Sequence, residues 1–170
     1  SKVGVGTTME ISLDIGDPKK LELVPSFSTN IVEDKPDEID QAALQDKKIL
    51  VVDDAKENAR LFKLYLCEAG ANVEIANNGE DAISMATSKY YDLILLDLQM
   101  PGKDGFQVIK ELRDDDFCKP IVALTAHAMK EEKLKTKKAG FDDHITKPVK
   151  PNELISSVSS LIRDYVIRTS

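Results

Sequence analysis

The chain has 170 residues, of which 42% are hydrophobic and 31% charged, and its formal net charge is −7. This composition is typical of a soluble globular protein, and the length allows one ordinary domain with an extension. The acidic balance argues against nucleic acid or an anionic membrane surface as a direct partner. The sequence shows neither an apolar run of roughly 18 residues nor a secretory pattern, so we expect a cytoplasmic chain and leave membrane anchoring of a longer protein open.

The composition of the chain changes near residue 47. Before that point, residues 9–15 alternate apolar and polar side chains, which predicts a strand with one buried face. Residues 17–46 contain three prolines and an acidic stretch. We interpret them as a linker, with a candidate short helix at 38–44.

From residue 47 onwards, short apolar runs alternate with segments of helical pattern. The predicted strands cover 49–52, 72–76, 93–96, 121–124 and 143–146, and the predicted helices cover 55–69, 80–88, 105–113, 129–139 and 152–166. Apolar runs of this kind are typical of strands buried on both faces of a parallel sheet. The alternation therefore indicates a doubly wound α/β domain with helices on both faces of the sheet.

Polar residues follow four of the predicted strands. Asp53 and Asp54 follow the first strand, Asp97 the third, Thr125 the fourth and Lys147 the fifth. Because functional sites in such folds lie beyond the carboxyl ends of the strands, we expect these side chains to converge.

The converging groups suit metal-assisted phosphoryl chemistry. Three neighbouring carboxylates repel one another unless a cation lies between them, and oxygen ligands suit Mg²⁺. Asp97, after the central strand, is then the expected nucleophile for in-line attack on phosphorus, while Lys147 and Thr125 contact the phosphoryl oxygens. Each short motif alone can also be purely structural; an Asp-Asp pair, for example, often only caps a helix. Their joint placement at four strand ends favours the functional interpretation.

Four segments carry a resemblance to the receiver domains of two-component signalling. They are VVDD at 51–54, LLDLQMPGKDG at 95–105, ALTAHA at 123–128 and ITKP at 145–148, and the resemblance covers 47–168. It implies a flavodoxin-like fold with strand order 2-1-3-4-5.

The same resemblance implies roles for individual residues. Asp97 is then the phosphoacceptor, and Mg²⁺ is held by Asp53 or Asp54, by Asp97 and by the backbone carbonyl of Gln99. Thr125 and Lys147 contact the phosphoryl group. The peptide bond that follows Lys147 is expected to be cis, which proline permits.

Two histidines fall at positions that matter in receivers. Three residues before the lysine, receivers often carry Tyr or Phe, whose ring moves inward together with the threonine. Here that residue is His144, which either takes this switch role with Thr125 or is an exposed edge residue. His127 stands where the family tunes the access of hydrolytic water.

The N-terminal residues carry a second resemblance. Residues 3–15 are similar to the last glycine box and following strand of histidine kinase ATPase domains, so we interpret 1–16 as the remnant of such a domain. A P-loop is excluded because the Gly-Lys-Ser/Thr ending is missing. This resemblance predicts the C-terminal receiver of a hybrid sensor histidine kinase.

Three functional hypotheses follow. In the first, the receiver of a hybrid kinase takes phosphate from a phosphohistidine, in cis or in trans, and passes it to a histidine phosphotransfer protein. The full-length protein is then a histidine kinase, whereas this chain alone has at most self-phosphorylation and autodephosphorylation activity. In the second, the chain is a stand-alone regulator that acts by protein contact. The third, a hydrolase with an aspartyl nucleophile, is disfavoured because Gln99 occupies the position of its usual acid/base aspartate.

Overall fold

The computed structural model describes residues 42–126 and 130–169, and these residues form alternating strands and helices around one sheet. The strands are β1 Lys48–Val52, β2 Asn72–Ala76, β3 Leu93–Asp97, β4 Ile121–Thr125 and β5 Asp143–Thr146. The helices are α1 Lys56–Glu68, α2 Gly79–Ser88, α3 Gly105–Asp114, α4 Lys130–Ala139 and α5 Pro151–Thr169. The strands pair in parallel in the order β2-β1-β3-β4-β5, which confirms the predicted fold.

The sheet divides the core into two hydrophobic clusters because successive strand residues point to opposite faces. In β1, Ile49 and Val51 pack on the face covered by α1 and α5, whereas Leu50 and Val52 pack on the face covered by α2 and α3. All four side chains are fully buried. Burial on both faces explains why this strand is a continuous apolar run in the sequence.

The ends of the helices follow local signals. At the start of α3, the side chain of Asp104 accepts from the backbone amide of Gln107, and the Gln107 side chain accepts from the amide of Asp104. Helix α5 starts at Pro151, one residue earlier than predicted, since proline lacks only an amide that a first turn leaves unpaired. It also runs on to Thr169, three residues beyond the predicted end.

A turn at 42–46 packs against the domain just before β1. Leu44 is fully buried in the cluster with α1 and α5, and its amide donates to the carbonyl of Ala69 at 2.9 Å. The carbonyl of Lys47 accepts from the amide of Asn72 at 2.7 Å. The end of the segment that we interpreted as a linker therefore contributes a core side chain.

Other predictions for the N-terminal segment lie outside the described residues. These are the strand at 9–15, the remnant at 1–16 and most of the candidate helix at 38–44. Among the described helices, none combines the length and the apolar character that a membrane crossing requires.

Candidate functional site

The predicted site residues lie at the carboxyl edge of the sheet. Asp97 ends β3 and pairs in register with Leu124, one residue before Thr125 at the end of β4. Asp53 directly follows β1, and Lys147 directly follows β5. Parallel pairing brings these strand ends together, so the predicted convergence is observed.

Three carboxylates form a cluster at this edge. One oxygen from each of Asp53, Asp54 and Asp97 lies within 4.8 Å of the other two. Asp53 is fully buried and Asp97 is 7% exposed, whereas Asp54 is exposed. The cluster therefore has a buried floor of two carboxylates and one acidic group at its mouth.

Lys147 connects the two buried carboxylates. Its Nζ donates to Oδ2 of Asp53 and to Oδ2 of Asp97, both at 2.7 Å. The sequence predicted that this ammonium group contacts a phosphoryl oxygen, but it did not predict these two ion pairs. With the three acids ionised and the lysine protonated, the four side chains carry a formal charge of −2, that is −3 + 1.

Backbone amides fix the other oxygen of each buried carboxylate. The amide of Ala55 donates to Oδ1 of Asp53 at 2.9 Å, and the amide of Gln99 donates to Oδ1 of Asp97 at 3.1 Å. Both acids are therefore held from two sides, by an amide and by the ammonium group of Lys147. This arrangement orients Asp97 before any ligand arrives.

Burial and the lysine have opposite effects on ionisation in the cluster. Burial raises the pKa of Asp53 above its ordinary value, and the hydrogen bond and charge of Lys147 offset this only in part. For Lys147, burial works against the charged form, but the hydrogen bonds to Asp53 and Asp97 outweigh it and hold the pKa of the ammonium group above its ordinary range.

The donor set of the cluster fits a hard divalent cation. Its ligand atoms are carboxylate oxygens, which Mg²⁺ prefers over softer donors. The net charge of −2 on the four side chains matches the charge of such an ion. Asp53, Asp54 and Asp97 are therefore the residues that could hold it, and exposed Gln99 lies two residues after Asp97 at the rim.

The other predicted residues surround the cluster. Thr125 is 2% exposed, and its carbonyl accepts from the amide of Lys147 at 2.7 Å. The Lys147–Pro148 bond is cis, as the resemblance implied.

The predicted switch residue lies in β5, the outermost strand beside β4. His144 pairs with Ala123 in β4, and its side chain is 19% exposed, with Nδ1 3.6 Å from Oδ1 of Asp143. These contacts place the ring but do not test its motion, so the switch role stays a prediction. His127 lies outside the described residues.

Sequence reasoning missed two residues next to the cluster. The ring of Phe62 in α1 lies with its centroid 5.9 Å from Nζ of Lys147, close enough for a cation–π contact. Gly105 lies against the backbone of β3, because an added Cβ would clash with the carbonyl oxygen of Asp97 and would lie 2.9 Å from Cα of Leu98. The Asp-Gly pair at 104–105 was the available signal for this close contact.

Comparison with known proteins decides the family. The model of the response regulator receiver domain matches residues 49–159. The chain belongs to this family. It therefore contains a receiver domain of two-component signalling.

Curated relatives and solved structures agree with this assignment. The transcriptional regulatory protein ResD of Bacillus subtilis is 41% identical over 116 residues, which cover 68% of this chain and 48% of ResD. PcoR of Escherichia coli, also a transcriptional regulatory protein, is 36% identical over 117 residues, which cover 69% of this chain and 52% of PcoR. The chain thus spans about half the length of these curated relatives.

Two solved structures illustrate the shared fold. The receiver domain of the Francisella response regulator 1452 has a TM-score of 0.68 and 34% identity, and the match covers 71% of this chain and 99% of that one. The chemotaxis protein CheY4 of Vibrio cholerae has a TM-score of 0.66 and 30% identity, with coverage of 68% and 98%.

Proposed function

We propose that this receiver accepts a phosphoryl group on Asp97 from a phosphohistidine of a histidine kinase. The observation that carries the proposal is the position of the Asp97 carboxylate. The carboxylate is buried, and it is oriented by Lys147 and by the amide of Gln99. It lies beside two other acids, Asp53 and Asp54. An oriented carboxylate in such surroundings is suited to attack rather than to packing.

In the proposed step, a carboxylate oxygen of Asp97 attacks the phosphorus atom in line with the P–N bond of the donor. An O–P bond forms as the P–N bond breaks, and the imidazole nitrogen leaves with the bonding electron pair. The ring departs neutral when its other nitrogen carries a proton. Lys147 and the Thr125 hydroxyl then contact two oxygens of the transferred group, which requires Lys147 to exchange part of its present pairing with Asp97.

We propose that Mg²⁺ is held by Asp53, Asp54, Asp97 and the carbonyl of Gln99. When bound, the ion neutralises charge on the incoming phosphoryl group. The protein supplies the orientation of Asp97 and a fixed ammonium group beside it. Catalysis then depends on positioning and on charge neutralisation.

Intact mass spectrometry after incubation with acetyl phosphate and Mg²⁺ tests the proposal. We expect one phosphoryl adduct, which disappears in Asp97→Asn and in excess EDTA. Asp114→Asn, a change at an exposed aspartate near the end of α3, is the matched control and should retain the adduct. An adduct that persists in Asp97→Asn would place the acceptor elsewhere and refute the proposal.

We also propose that the chain comes from a hybrid sensor histidine kinase. Residues 3–15, with their similarity to the end of a kinase ATPase domain, support this origin. The phosphoryl group would then arrive in cis or in trans and could move on to a histidine phosphotransfer protein. Reading the coding sequence upstream of Ser1 tests the origin, because the absence of a dimerisation-histidine region there would refute it.

A second candidate is a response regulator that acts by protein contact after phosphorylation. It is favoured by the relatives, which are transcriptional regulatory proteins. The same upstream sequence separates the two origins, and neither outcome alters the role proposed for Asp97. That this chain itself avoids nucleic acid stays a prediction from its charge.

A further inference from the structure

Gly79, the first residue of α2, lies in a conformation that other residues also adopt. Its φ angle is outside the left-handed region, in contrast with Gly102 and Gly140, at +80° and +100°. A glycine within a helix costs up to about 1 kcal/mol relative to alanine. Backbone freedom therefore does not explain the glycine at this position.

The space around Gly79 does explain it. An added Cβ would lie 2.6 Å from Cγ2 of Val108, 2.8 Å from the carbonyl oxygen of Lys103 and 3.0 Å from Cβ of Lys103. The carbonyl oxygen belongs to the backbone and cannot rotate away as a flexible side chain would. A side chain at position 79 would thus displace the chain at Lys103, the start of α3 or both.

Lys103 belongs to the loop that connects β3 to α3, residues 98–104. This loop starts directly after Asp97 and contains Gln99, whose amide donates to the Asp97 carboxylate. At its other end, Gly105 lies against the carbonyl of Asp97, and the Gly105 amide donates to the carbonyl of Leu98 at 3.2 Å. The loop is therefore packed between the first turn of α2 on one side and the end of β3 on the other.

We infer that Gly79 is a positioning residue for the phosphoacceptor site, because it lets α2 support the loop that carries Gln99. The inference rests on the proposed function, since it concerns the placement of the metal-binding and phosphoryl-accepting groups. The three atoms nearest to an added Cβ at Gly79 belong to Val108 and Lys103, and none belongs to the acids or to Lys147. Gly79 acts through the backbone of Lys103, which belongs to the loop between Asp97 and the start of α3.

Mg²⁺ affinity, measured by calorimetric titration of the full chain, is the readout that separates positioning from general packing. We expect Gly79→Ala to weaken Mg²⁺ binding roughly tenfold, the lower end of the loss seen when groups that orient metal ligands are altered. Unfolding in denaturant is measured in parallel. The matched control is Gly140→Ala, a change that strains a left-handed backbone position far from the acids.

The expected result is lower Mg²⁺ affinity in Gly79→Ala and unchanged affinity in Gly140→Ala, even though the control is also destabilised. Wild-type affinity in Gly79→Ala, or an equal loss of affinity in both variants, would overturn the inference. These outcomes do not affect the proposed function, which stands as long as the wild-type protein binds Mg²⁺ and forms the Asp97 adduct.

A double variant identifies the contact that matters. Val108→Ala in the Gly79→Ala background removes the closest side-chain contact but leaves the new Cβ against the carbonyl of Lys103. We expect Mg²⁺ binding to stay weak in this double variant. Recovery of wild-type affinity would assign the effect to helix packing and overturn the role of the loop.

Discussion

The two edges of the sheet differ in charge balance: the carboxyl edge, where the strands end, carries excess negative charge, whereas the amino edge, where they begin, does not. At the carboxyl edge, Asp53, Asp54 and Asp97 lie together, and among the described residues the ammonium group of Lys147 pairs with Asp53 and Asp97. At the amino edge, the guanidinium group of Arg113 is matched by several acceptors of the protein itself. The first edge keeps a negative charge available for a ligand, whereas the second has its charge neutralised by the fold.

At the amino edge, the side chain of Arg113 binds several acceptors. Arg113 donates to the carbonyl of Gly140 at 3.0 and 3.2 Å, to that of Lys119 at 3.0 Å, and also to that of Phe117. It forms an ion pair with Asp142 at 2.8 Å, and the same Asp142 oxygen accepts from the amide of Ile121. These bonds join the end of α3 to the segments that lead into β4 and β5.

The contrast teaches which polar clusters to read as sites. A partly exposed charge that the protein pairs with its own acceptors needs no partner from outside, whereas buried like charge that it leaves in excess favours binding of a cation. In the described part of this chain, the carboxyl edge meets the second description and the amino edge the first. Variants at the two edges should therefore differ in kind.

The largest effect on stability is expected at Lys147. Lys147→Met leaves the buried carboxylates of Asp53 and Asp97 without their cation, which should lower the free energy of unfolding by about 3 kcal/mol. Denaturant unfolding in EDTA measures the loss. Adding Asp53→Asn should recover part of it, and a purely additive double variant would contradict this account.

At the amino edge, Arg113→Met should lower the free energy of unfolding by about 2 kcal/mol, since several acceptors lose a charged donor. The phosphoryl adduct on Asp97 should form as in the wild-type protein, because Arg113 lies far from the acids. Unfolding and intact mass are measured on the same preparation. A lost adduct in a folded variant would show that the edges are coupled.

Mg²⁺ should stabilise only through the carboxyl edge. At ten times its dissociation constant, the ion is expected to raise the free energy of unfolding by about 1.4 kcal/mol. Thermal or denaturant unfolding with and without Mg²⁺ measures this shift. Arg113→Met should keep the shift and Asp97→Asn should lose most of it, and the reverse pattern would place the ion elsewhere.

The smallest effect concerns pH in the absence of metal. The pKa of Asp53 is raised in the folded protein by burial, partly offset by Lys147. Its contribution to stability is therefore complete below the unfolded pKa, about 4, and is lost as the pH rises through the folded pKa. Unfolding in EDTA across this range should show a slope that Asp53→Asn reduces and Asp114→Asn retains. If the slope of unfolding free energy against pH is unchanged in Asp53→Asn, other acids cause it.

Local signals in the sequence were sufficient for the order of the elements and for the convergence of the acids. Apolar runs marked the strands, and parallel pairing then brought Asp53 and Asp97 to one edge. The two ion pairs of Lys147 were not predictable in the same way, because they join residues 94 and 50 positions apart.

Arg113 and Gly79 were missed for related reasons. Arg113 binds mostly backbone carbonyls, and since every residue carries one, no pattern of side chains marks its partners. For Gly79, the sequence predicted a helix from 80 to 88, and the structure confirms a helix that begins one residue earlier, at Gly79. Its contact with Lys103 depends on the distance between two helices and a loop, which the sequence does not encode locally.

The burial of Leu44 separates two meanings of a domain boundary. The segment that matches the family runs from 49 to 159, yet Leu44 lies before it and Ile162 after it, and both are buried in the same hydrophobic cluster. The recurring pattern is thus shorter than the unit that closes the core. A chimera that exchanged only the matched segment would pack the sheet of one protein against Leu44 and Ile162 of another. Junctions of such chimeras are therefore better placed outside both residues.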